Sequence, residues 1–158
     1  MTFQLKVCVQ NILTGQFKWF EFPESEQTIR HTLHIDDGDE YLIADWEGVN
    51  GINEYTPISS LNQLAEKMAT IPSAYSSLIN DWLGHYGSIE TFIEEFDYND
   101  WTVAEVSGDE DFGIYLVEEL SAINIPEYLE PYFDYEAYGR DARLELSCIV
   151  SDSYYTWQ

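Results

Sequence analysis

The sequence contains few basic residues, few cysteines and no long apolar run. Only 6 Lys and Arg stand against 30 Asp and Glu, which gives a formal net charge of -24. Nucleic acids and anionic membranes are polyanions, so direct binding to either is not expected. No stretch approaches the ~18 apolar residues of a membrane span. The N-terminal segment alternates like a strand and lacks the apolar core of a signal peptide, so we expect a cytoplasmic protein.

The scarcity of cysteine argues against a zinc site. Cys8 and Cys148 lie in apolar, strand-like runs, and neither has a Cys or His at zinc-ligand spacing. His31 and His34 precede an acidic loop, but the loop lacks the oxygen-ligand spacing of an EF-hand. His85, beside Tyr86, is typical of a packing or capping histidine. We therefore predict no metal site and no cofactor.

Recognisable catalytic motifs are also absent. The sequence has no G-x-S-x-G elbow, no Gly-rich phosphate loop and no Cys/His pair in a known context. A hydrolase with paired carboxylates stays open as an alternative, although any fold of so acidic a chain would supply such pairs. We expect no catalytic residue and a protein that is not an enzyme.

The chain does contain many hydrophobic residues, and its acidic residues lie on the same segments. Hydrophobic residues make up 45% and aromatic residues 16% of the chain, which argues against intrinsic disorder. Between Lys67 and Arg140 there is no Lys or Arg, whereas sixteen acids lie there, interleaved with apolar residues. Surfaces normally mix the two signs, because a single sign is self-repulsive. We infer that the acidic surface has a use, such as binding a strongly basic partner.

The first third of the chain reads as a ββαβ module. Phe3–Gln10 alternates as a strand, and Phe17–Phe22 is the returning strand of a hairpin that Pro23 ends. A helix is predicted from Ser25 to His34, and a third strand from Tyr41 to Trp46. Residues 47–57 are rich in Gly, Asn and Pro and read as a loop.

Five helices and two closing strands are predicted after that loop. Their start signals are Ser59 or Ser60, Pro72, Ser88, the Ser107-Gly108-Asp109 turn, and Pro126. The last helix is expected to stop at Gly139, and the strands are Leu144–Val150 and Tyr154–Trp157.

Apolar stripes at helical spacing indicate which faces of these helices are buried. In the helix after Ser88, Ile93 is expected inside, and in the next helix Leu120 is expected inside. The full stripes are Leu61, Leu64, Ala65 and Met68; Tyr75, Leu78, Ile79, Trp82 and Leu83; Ile89, Phe92, Ile93 and Phe96; and Phe112, Tyr115, Leu116 and Leu120.

Three segments resemble the ArdA-type antirestriction proteins. The most specific is Pro131–Leu144, PYFDYEAYGRDARL, and within it the DYEAYGRD run. Asp45–Leu64, DWEGVNGINEYTPISSLNQL, is similar to the family as well, and so is the hairpin end WFEFP. The middle of the chain matches in acidity and helicity more than in residues.

The resemblance implies an elongated α+β protein of three small domains that mimics DNA. The domains would be an N-terminal α/β module at 1–57, an acidic helical domain at 58–104, and a C-terminal α/β domain at 105–158 that dimerises. Such proteins occupy the DNA-binding groove of type I restriction-modification enzymes. Mimics of this kind aimed at another basic target, such as a CRISPR effector or a nucleoid protein, stay open as an alternative.

The expected site is a set of carboxylates that imitate phosphates. Arg binds carboxylate and phosphate alike in a two-pronged contact, which makes the substitution chemically reasonable. The expected mimic residues are Asp36, Asp37, Asp39, Glu40, Asp45, Glu47, Asp81, Glu90, Glu94, Glu95, Asp97, Asp100, Glu105, Asp109, Glu110, Asp111, Glu118, Glu119, Glu127 and Glu130.

A cluster of aromatic residues is the expected dimer contact. By the same resemblance it comprises Tyr132, Phe133, Tyr135 and Tyr138, and an equally good interpretation places these side chains in the core of their own domain. Arg140 and Arg143 are expected to pair locally, with Asp134, Glu136 and Asp141.

Overall fold

The protein has a mixed α+β fold, as the sequence predicts. A computed structural model describes residues 4–158, and the chain forms two compact units, Met1–Tyr98 and Asn99–Gln158. The strands are β1 (Leu5–Asn11), β2 (Phe17–Phe22), β3 (Tyr41–Glu47), β4 (Thr102–Glu105), β5 (Ile149–Val150) and β6 (Tyr154–Trp157). The α-helices are α1 (Glu26–Thr32), α2 (Ile58–Ala69), α3 (Ile79–Tyr86), α4 (Ile89–Glu95), α5 (Asp109–Glu118) and α6 (Tyr135–Glu145).

The first unit begins with the predicted ββαβ module. Its antiparallel sheet has the order β2-β1-β3, and Val7 and Val9 of β1 are fully buried. Phe3, predicted to share their face, lies outside the described residues. The buried Asn11 joins the hairpin to α1, because its side-chain amide donates to the carbonyls of Leu33 at 3.0 Å and His34 at 3.3 Å. The module is therefore held by polar contacts as well as by its core.

The rest of the first unit is helical and packs around aromatic rings. A 3₁₀ turn, Ser73–Leu78, leads into α3, and the left-handed Gly87 ends that helix. Trp82, Phe92 and Phe96 are fully buried. The Phe96 ring stacks on Phe92 at a centroid distance of 4.5 Å and contacts the tilted Trp82 ring at 5.3 Å. A small unit buries a limited share of its surface, so large aromatic side chains supply much of its apolar contact.

The second unit combines a three-stranded sheet with two closely packed helices. The sheet has the order β4-β6-β5, and its buried face meets Phe112 and Leu116 of α5. Helices α5 and α6 cross where Gly113 lies against Gly139. A Cβ built on Gly139 would lie 1.8 Å from the Asp109 carbonyl oxygen, and one built on Gly113 would lie 2.0 Å from the Tyr135 carbonyl oxygen. Only glycine permits this approach of two backbones.

Several element boundaries differ from the sequence-based predictions. Gly139 does not end a helix; it lies inside α6, and the segment after Pro126 is instead a 3₁₀ turn, Glu127–Tyr132. The predicted strand Leu144–Val150 is reduced to β5, because α6 continues to Glu145. Strand β4 was not predicted, since its four residues give too short an alternation to recognise.

Two further details of the helices were wrong. Helix α2 begins after Pro57 rather than at a serine cap, so Ile58 extends its buried face. Leu120, expected in a buried stripe, lies beyond the end of α5 and is exposed. The other predicted stripes are buried or half-buried as expected. No helix within residues 4–158 has the length and apolar character needed to cross a membrane.

The crossing of α5 and α6 yields a test of packing. We expect Gly139→Ala to destabilise the second unit by about 1 to 3 kcal/mol or more, because the added methyl meets backbone that must move. Gly84→Ala is the matched control: Gly84 is also helical, and nothing lies within 4 Å of its built Cβ. That control should stabilise by about 0.5 to 1 kcal/mol. Urea unfolding of both variants measures the difference, and equal effects would contradict the tight crossing.

Candidate functional site

The structure places nearly all of the expected mimic carboxylates at the surface. Every one of the twenty is exposed except Asp39, Asp81 and Asp109, which are half-buried. They lie on strands, helices and short turns rather than on a tail, so each backbone position is held by packing. The arrangement presents negative charge at defined positions, in both units.

The acidic loop at residues 36–40 is organised by a single cation, Arg30. Its guanidinium donates to the carbonyl oxygens of Asp36 at 3.2 Å and Asp39 at 3.0 Å, and it lies over the Tyr41 ring with its carbon 5.3 Å from the centroid. Its ion pair with Glu26 is long, at 4.0 Å. Because Arg30 binds the loop backbone, the carboxylates of Asp36 and Asp37 remain exposed. No local sequence pattern indicates this role.

Helix α4 carries a second group of carboxylates. The Ser88 hydroxyl caps the helix by accepting from the Thr91 N–H at 3.1 Å, and Phe92 anchors its inner face. Glu90, Glu94 and Glu95 lie on the exposed side. Two residues four positions apart on a helix are separated by about 6 Å along its axis, so Glu90 and Glu94 repel each other. The aromatic core beneath must hold the helix against this repulsion.

The opposite end of α4 is stabilised by Lys67. Its ammonium group donates to the carbonyl oxygen of Phe96, which is the C-cap residue of α4. A cation at this end also complements the helix dipole. The last basic residue before the long acidic stretch therefore serves the scaffold beneath it.

The first turn of α5 holds three acids with different roles. Asp109, Glu110 and Asp111 follow the cap at Gly108, and acids are favoured there by the helix dipole. Asp111 accepts a hydrogen bond from the Ser107 N–H at 3.0 Å, and Glu110 is exposed. Asp109 alone turns inward.

Asp109 is the centre of a partly buried polar contact in the second unit. Arg143 binds its carboxylate through Nε at 2.9 Å and Nη2 at 3.3 Å, and the Tyr155 hydroxyl donates to it at 2.8 Å. The hydrogen bond from Arg143 lowers the pKa of Asp109, burial opposes this, and the bond from Tyr155 lowers it further. Burial, followed by the bond to Asp109, raises the pKa of Tyr155 to about 12. The triad joins α5, α6 and β6.

This triad corrects one sequence-based expectation and limits another. Arg143 does not pair locally but reaches Asp109, 34 residues away, whereas Arg140 pairs with its neighbour Asp141 at 3.5 Å. A pairing across so long a loop leaves no trace in local sequence spacing. Asp109, expected in the mimic surface, is engaged inside the fold.

Neither cysteine has the features of a nucleophile. Burial raises the pKa of Cys148 to about 11, with opposing influences from Arg143 and Asp109. Burial also raises the pKa of Cys8, and the Asp45 carboxylate adds to the effect. A nucleophilic thiol needs a lowered pKa, so these are structural thiols.

The residues around the histidines do not assemble into a metal site. His31 and His34 are exposed beside Asp36 and Asp37, in an open cavity of about 660 Å³. Within the described part of the chain, no three His, Cys, Asp or Glu side chains come together in a group that could hold a metal ion.

The four aromatic residues expected at a dimer contact divide into two kinds. Tyr138 packs against the core of the second unit, and Phe133 contacts the rings of both Tyr135 and Tyr138. Tyr132 is 84% exposed. Other exposed apolar residues of this unit are Leu120, Ile123, Tyr128, Leu129, Leu144, Leu146 and Val150. The second unit thus keeps a substantial apolar surface in contact with solvent.

Comparison with protein families identifies the chain. A family model described as "Antirestriction protein (ArdA)" matches residues 13–156 of the 158. The chain belongs to the ArdA family of antirestriction proteins. No curated protein matches it. ArdA proteins are antirestriction inhibitors and are not known as an enzyme family, and the resemblance seen in the sequence is confirmed.

The structure explains what the most specific ArdA-like run does in this chain. In Asp134–Asp141, the Asp134 carboxylate caps α6 by accepting from the Ala137 N–H at 3.0 Å. Tyr138 packs on the core, and Gly139 allows α5 to approach. The run that distinguishes this ArdA sequence is therefore largely a helix-packing motif, and none of the twenty expected mimic carboxylates lies within it.

The Asp109 triad predicts a particular pH dependence of stability. Because Arg143 holds the pKa of the Asp109 carboxyl in the folded protein below its ordinary value, the stabilisation is present above that ordinary pKa and is lost as the pH falls through the folded pKa. Asp109→Asn should therefore lower the urea midpoint at pH 7, and the gap to wild type should close below about pH 4.

Glu110→Gln is the control for this prediction. Glu110 is the next residue, is exposed, and carries the same charge. Urea unfolding at several pH values should show little change for it at pH 7. A gap between Asp109→Asn and wild type that stayed constant down to pH 2 would contradict the triad's role.

Proposed function

We propose that this ArdA protein inhibits type I restriction-modification enzymes by occupying their DNA-binding groove as a DNA mimic. The observation that carries the proposal is the exposed, single-sign set of carboxylates on ordered elements. Family membership supports antirestriction activity, and the charge supplies the mechanism. The target would be encountered in the cytoplasm.

The amount of charge suits a stretch of duplex. Duplex DNA carries one charge per ~1.7 Å, so 24 charges correspond to the phosphates of roughly 40 Å, or about a dozen base pairs. A homodimer would correspond to about two dozen. A groove that binds DNA of this length offers many Lys and Arg side chains, each able to grip a carboxylate as it grips a phosphate.

Preorganisation is what would make the mimic an effective competitor. Arg30 holds the backbone of the acidic loop, and Lys67 with the Trp82–Phe92–Phe96 stack holds α4. The repulsion between carboxylates is thus overcome during folding, before the target is met. Binding then pays little for ordering.

The proposed contact set is the expected mimic list without Asp109, because Arg143 and Tyr155 already bind its carboxylate. The remaining acids act together, each through a partly screened contact. Such contacts contribute about 0.5 to 1 kcal/mol apiece, so the energy of binding is spread over the surface.

Direct competition tests the target and the mechanism together. A type I restriction-modification enzyme bound to labelled duplex carrying its recognition sequence is titrated with the intact protein at low and at moderate salt. We expect displacement near stoichiometry that weakens as salt rises. No displacement by the folded protein would overturn the type I target and leave a different basic protein as the partner.

Patch neutralisation tests the position of the charges. The triple change Glu90→Gln, Glu94→Gln, Glu95→Gln removes three proposed contacts and should weaken inhibition about 10- to 100-fold. Each single change should weaken it only a few-fold. The readout is the inhibitor concentration that displaces half of the labelled duplex.

The matched control removes the same charge elsewhere. Glu54→Gln, Glu66→Gln, Asp152→Asn alters three exposed acids outside the proposed surface. We expect this variant to inhibit nearly as well as wild type. If both triple variants lost inhibition equally, net charge rather than its position would determine binding. If one single substitution abolished inhibition, the binding energy would not be distributed over the surface.

We also propose that the second unit forms a homodimer through its exposed apolar surface. Tyr132 and Tyr128 are 84% and 76% exposed, which is costly for a monomer and typical of an interface. Phe133, Tyr135 and Tyr138 would support that surface from beneath.

Charge placed on this surface should break the dimer. At low salt and low protein concentration, we expect Tyr132→Glu to lower the mass measured by light scattering from dimer toward monomer, since an unpaired charge is costly to bury. Tyr55→Glu, at an 82% exposed tyrosine of the first unit, is the control and should stay dimeric. A monomeric wild type would exclude the proposal.

A further inference from the structure

Strand β2 is an edge strand with a free row of backbone groups. In the described sheet it pairs only with β1, in the order β2-β1-β3. The Asn11 N–H donates to the Gln16 carbonyl oxygen at 2.8 Å, so Gln16 and every second residue after it direct their backbone groups toward β1. Alternate residues of an antiparallel strand bond to opposite sides. Phe17, Trp19 and Glu21 therefore direct their N–H and C=O groups away from β1.

Two of these three residues, Phe17 and Trp19, also expose apolar side chains on one face of the sheet. Phe17 is 62% and Trp19 41% exposed, whereas Phe20 and Phe22, on the other face, are buried. Trp19 lies opposite Cys8 in the register, and Asp45 of β3 lies opposite Cys8 on the far side. One face of this sheet thus changes from acidic at β3 to apolar at β2.

The hairpin also carries very little negative charge. Residues 4–23 contain Lys6, Lys18 and Glu21 as their only charged side chains, in a protein of net charge -24. Lys6 lies 3.9 Å from Glu21. Two copies of so acidic a protein would repel each other least if they approached through this segment. The segment is unsuited to imitate phosphates.

We propose that two copies of the chain pair β2 with β2, antiparallel about a two-fold axis at Trp19. Trp19 then lies opposite the second copy's Trp19, and Phe17 lies opposite its Glu21. In this register each of the three outward-facing residues exchanges backbone hydrogen bonds with a residue of the second copy. The exposed apolar faces of the two sheets then lie on the same side, as antiparallel pairing requires. The two small sheets become one continuous sheet.

Self-complementarity favours a second copy over a foreign strand. A register shifted by two residues toward the C-terminus would bring in Pro23, which has no N–H to donate. A register shifted by two residues toward the N-terminus would leave the backbone of Glu21 without a partner in the second copy's β2. The strand therefore matches its own sequence best in one arrangement, and exposed edge strands readily accept such partners.

The salt dependence separates this contact from the proposed function. Bringing two highly acidic chains together is opposed by their net charge, and screening relieves that opposition. Association through β2 should strengthen as salt rises, whereas competition with DNA should weaken. A negative result for association through β2 therefore leaves the proposed competition with DNA untouched, and the reverse also holds.

Sedimentation of the intact chain tests the contact. The Tyr132→Glu background is used so that the proposed interface of the second unit does not contribute. We expect self-association that increases with protein concentration and with salt, and that Trp19→Lys abolishes. Leu13→Lys, at a residue 74% exposed in the hairpin turn, is the control and should leave association intact. No association, or equal loss in both variants, would overturn the proposal.

Mixed disulfides test the register without relying on these charge variants. Phe17→Cys and Glu21→Cys are made separately, each with Cys8→Ala to remove the neighbouring thiol, and then mixed under mild oxidation. Directly opposed Cα atoms lie about 5.5 Å apart, within disulfide reach. We expect the mixed dimer to dominate, because identical positions are about 14 Å apart in this register. Equal yields of mixed and identical pairs would overturn it.

Discussion

Electrostatic repulsion among the carboxylates is the constraint on which the structure depends. With few cations available, the chain cannot neutralise its surface, and it uses several of them to stabilise the scaffold. Arg30 binds the backbone of the acidic loop, Lys67 caps the end of α4, and Arg143 holds Asp109. In each case a cation secures an element that displays acids. The charge at the surface is therefore left largely uncompensated while its positions are defined.

Aromatic packing supplies the cohesion that opposes this repulsion. The first unit stacks Trp82, Phe92 and Phe96, and the second packs Phe112 against Tyr155 and Trp157. Large rings bury much apolar area per residue, which suits small units with limited interiors. The high aromatic content noted in the sequence is thus explained mainly by the cores. The exposed aromatic residues include Phe17 and Trp19 of β2 and Tyr128 and Tyr132 of the second unit, which belong to the two proposed contacts between chains.

The sequence predicted the elements whose signals are local. Alternation gave β1 and β2, Ser88 marked the start of α4, and helical spacing identified most buried faces. It failed where the signal was ambiguous or long-range. Gly139 resembles a helix stop, yet it is a contact glycine, because the neighbouring backbone of α5 is not visible from the sequence. Arg143 similarly found a distant partner in preference to nearby acids.

By itself the sequence determined the family, the fold class, the excess of negative charge and the interleaving of acids with apolar residues, since composition and period are properties of the chain. Tertiary structure alone decided which carboxylates face solvent and which, like Asp109, are taken into the fold. It also decided that the glycine of the family-specific run serves packing and that β2 is an edge. The reason is physical: burial and pairing depend on which segments meet, and segments distant in sequence meet only when the chain has folded.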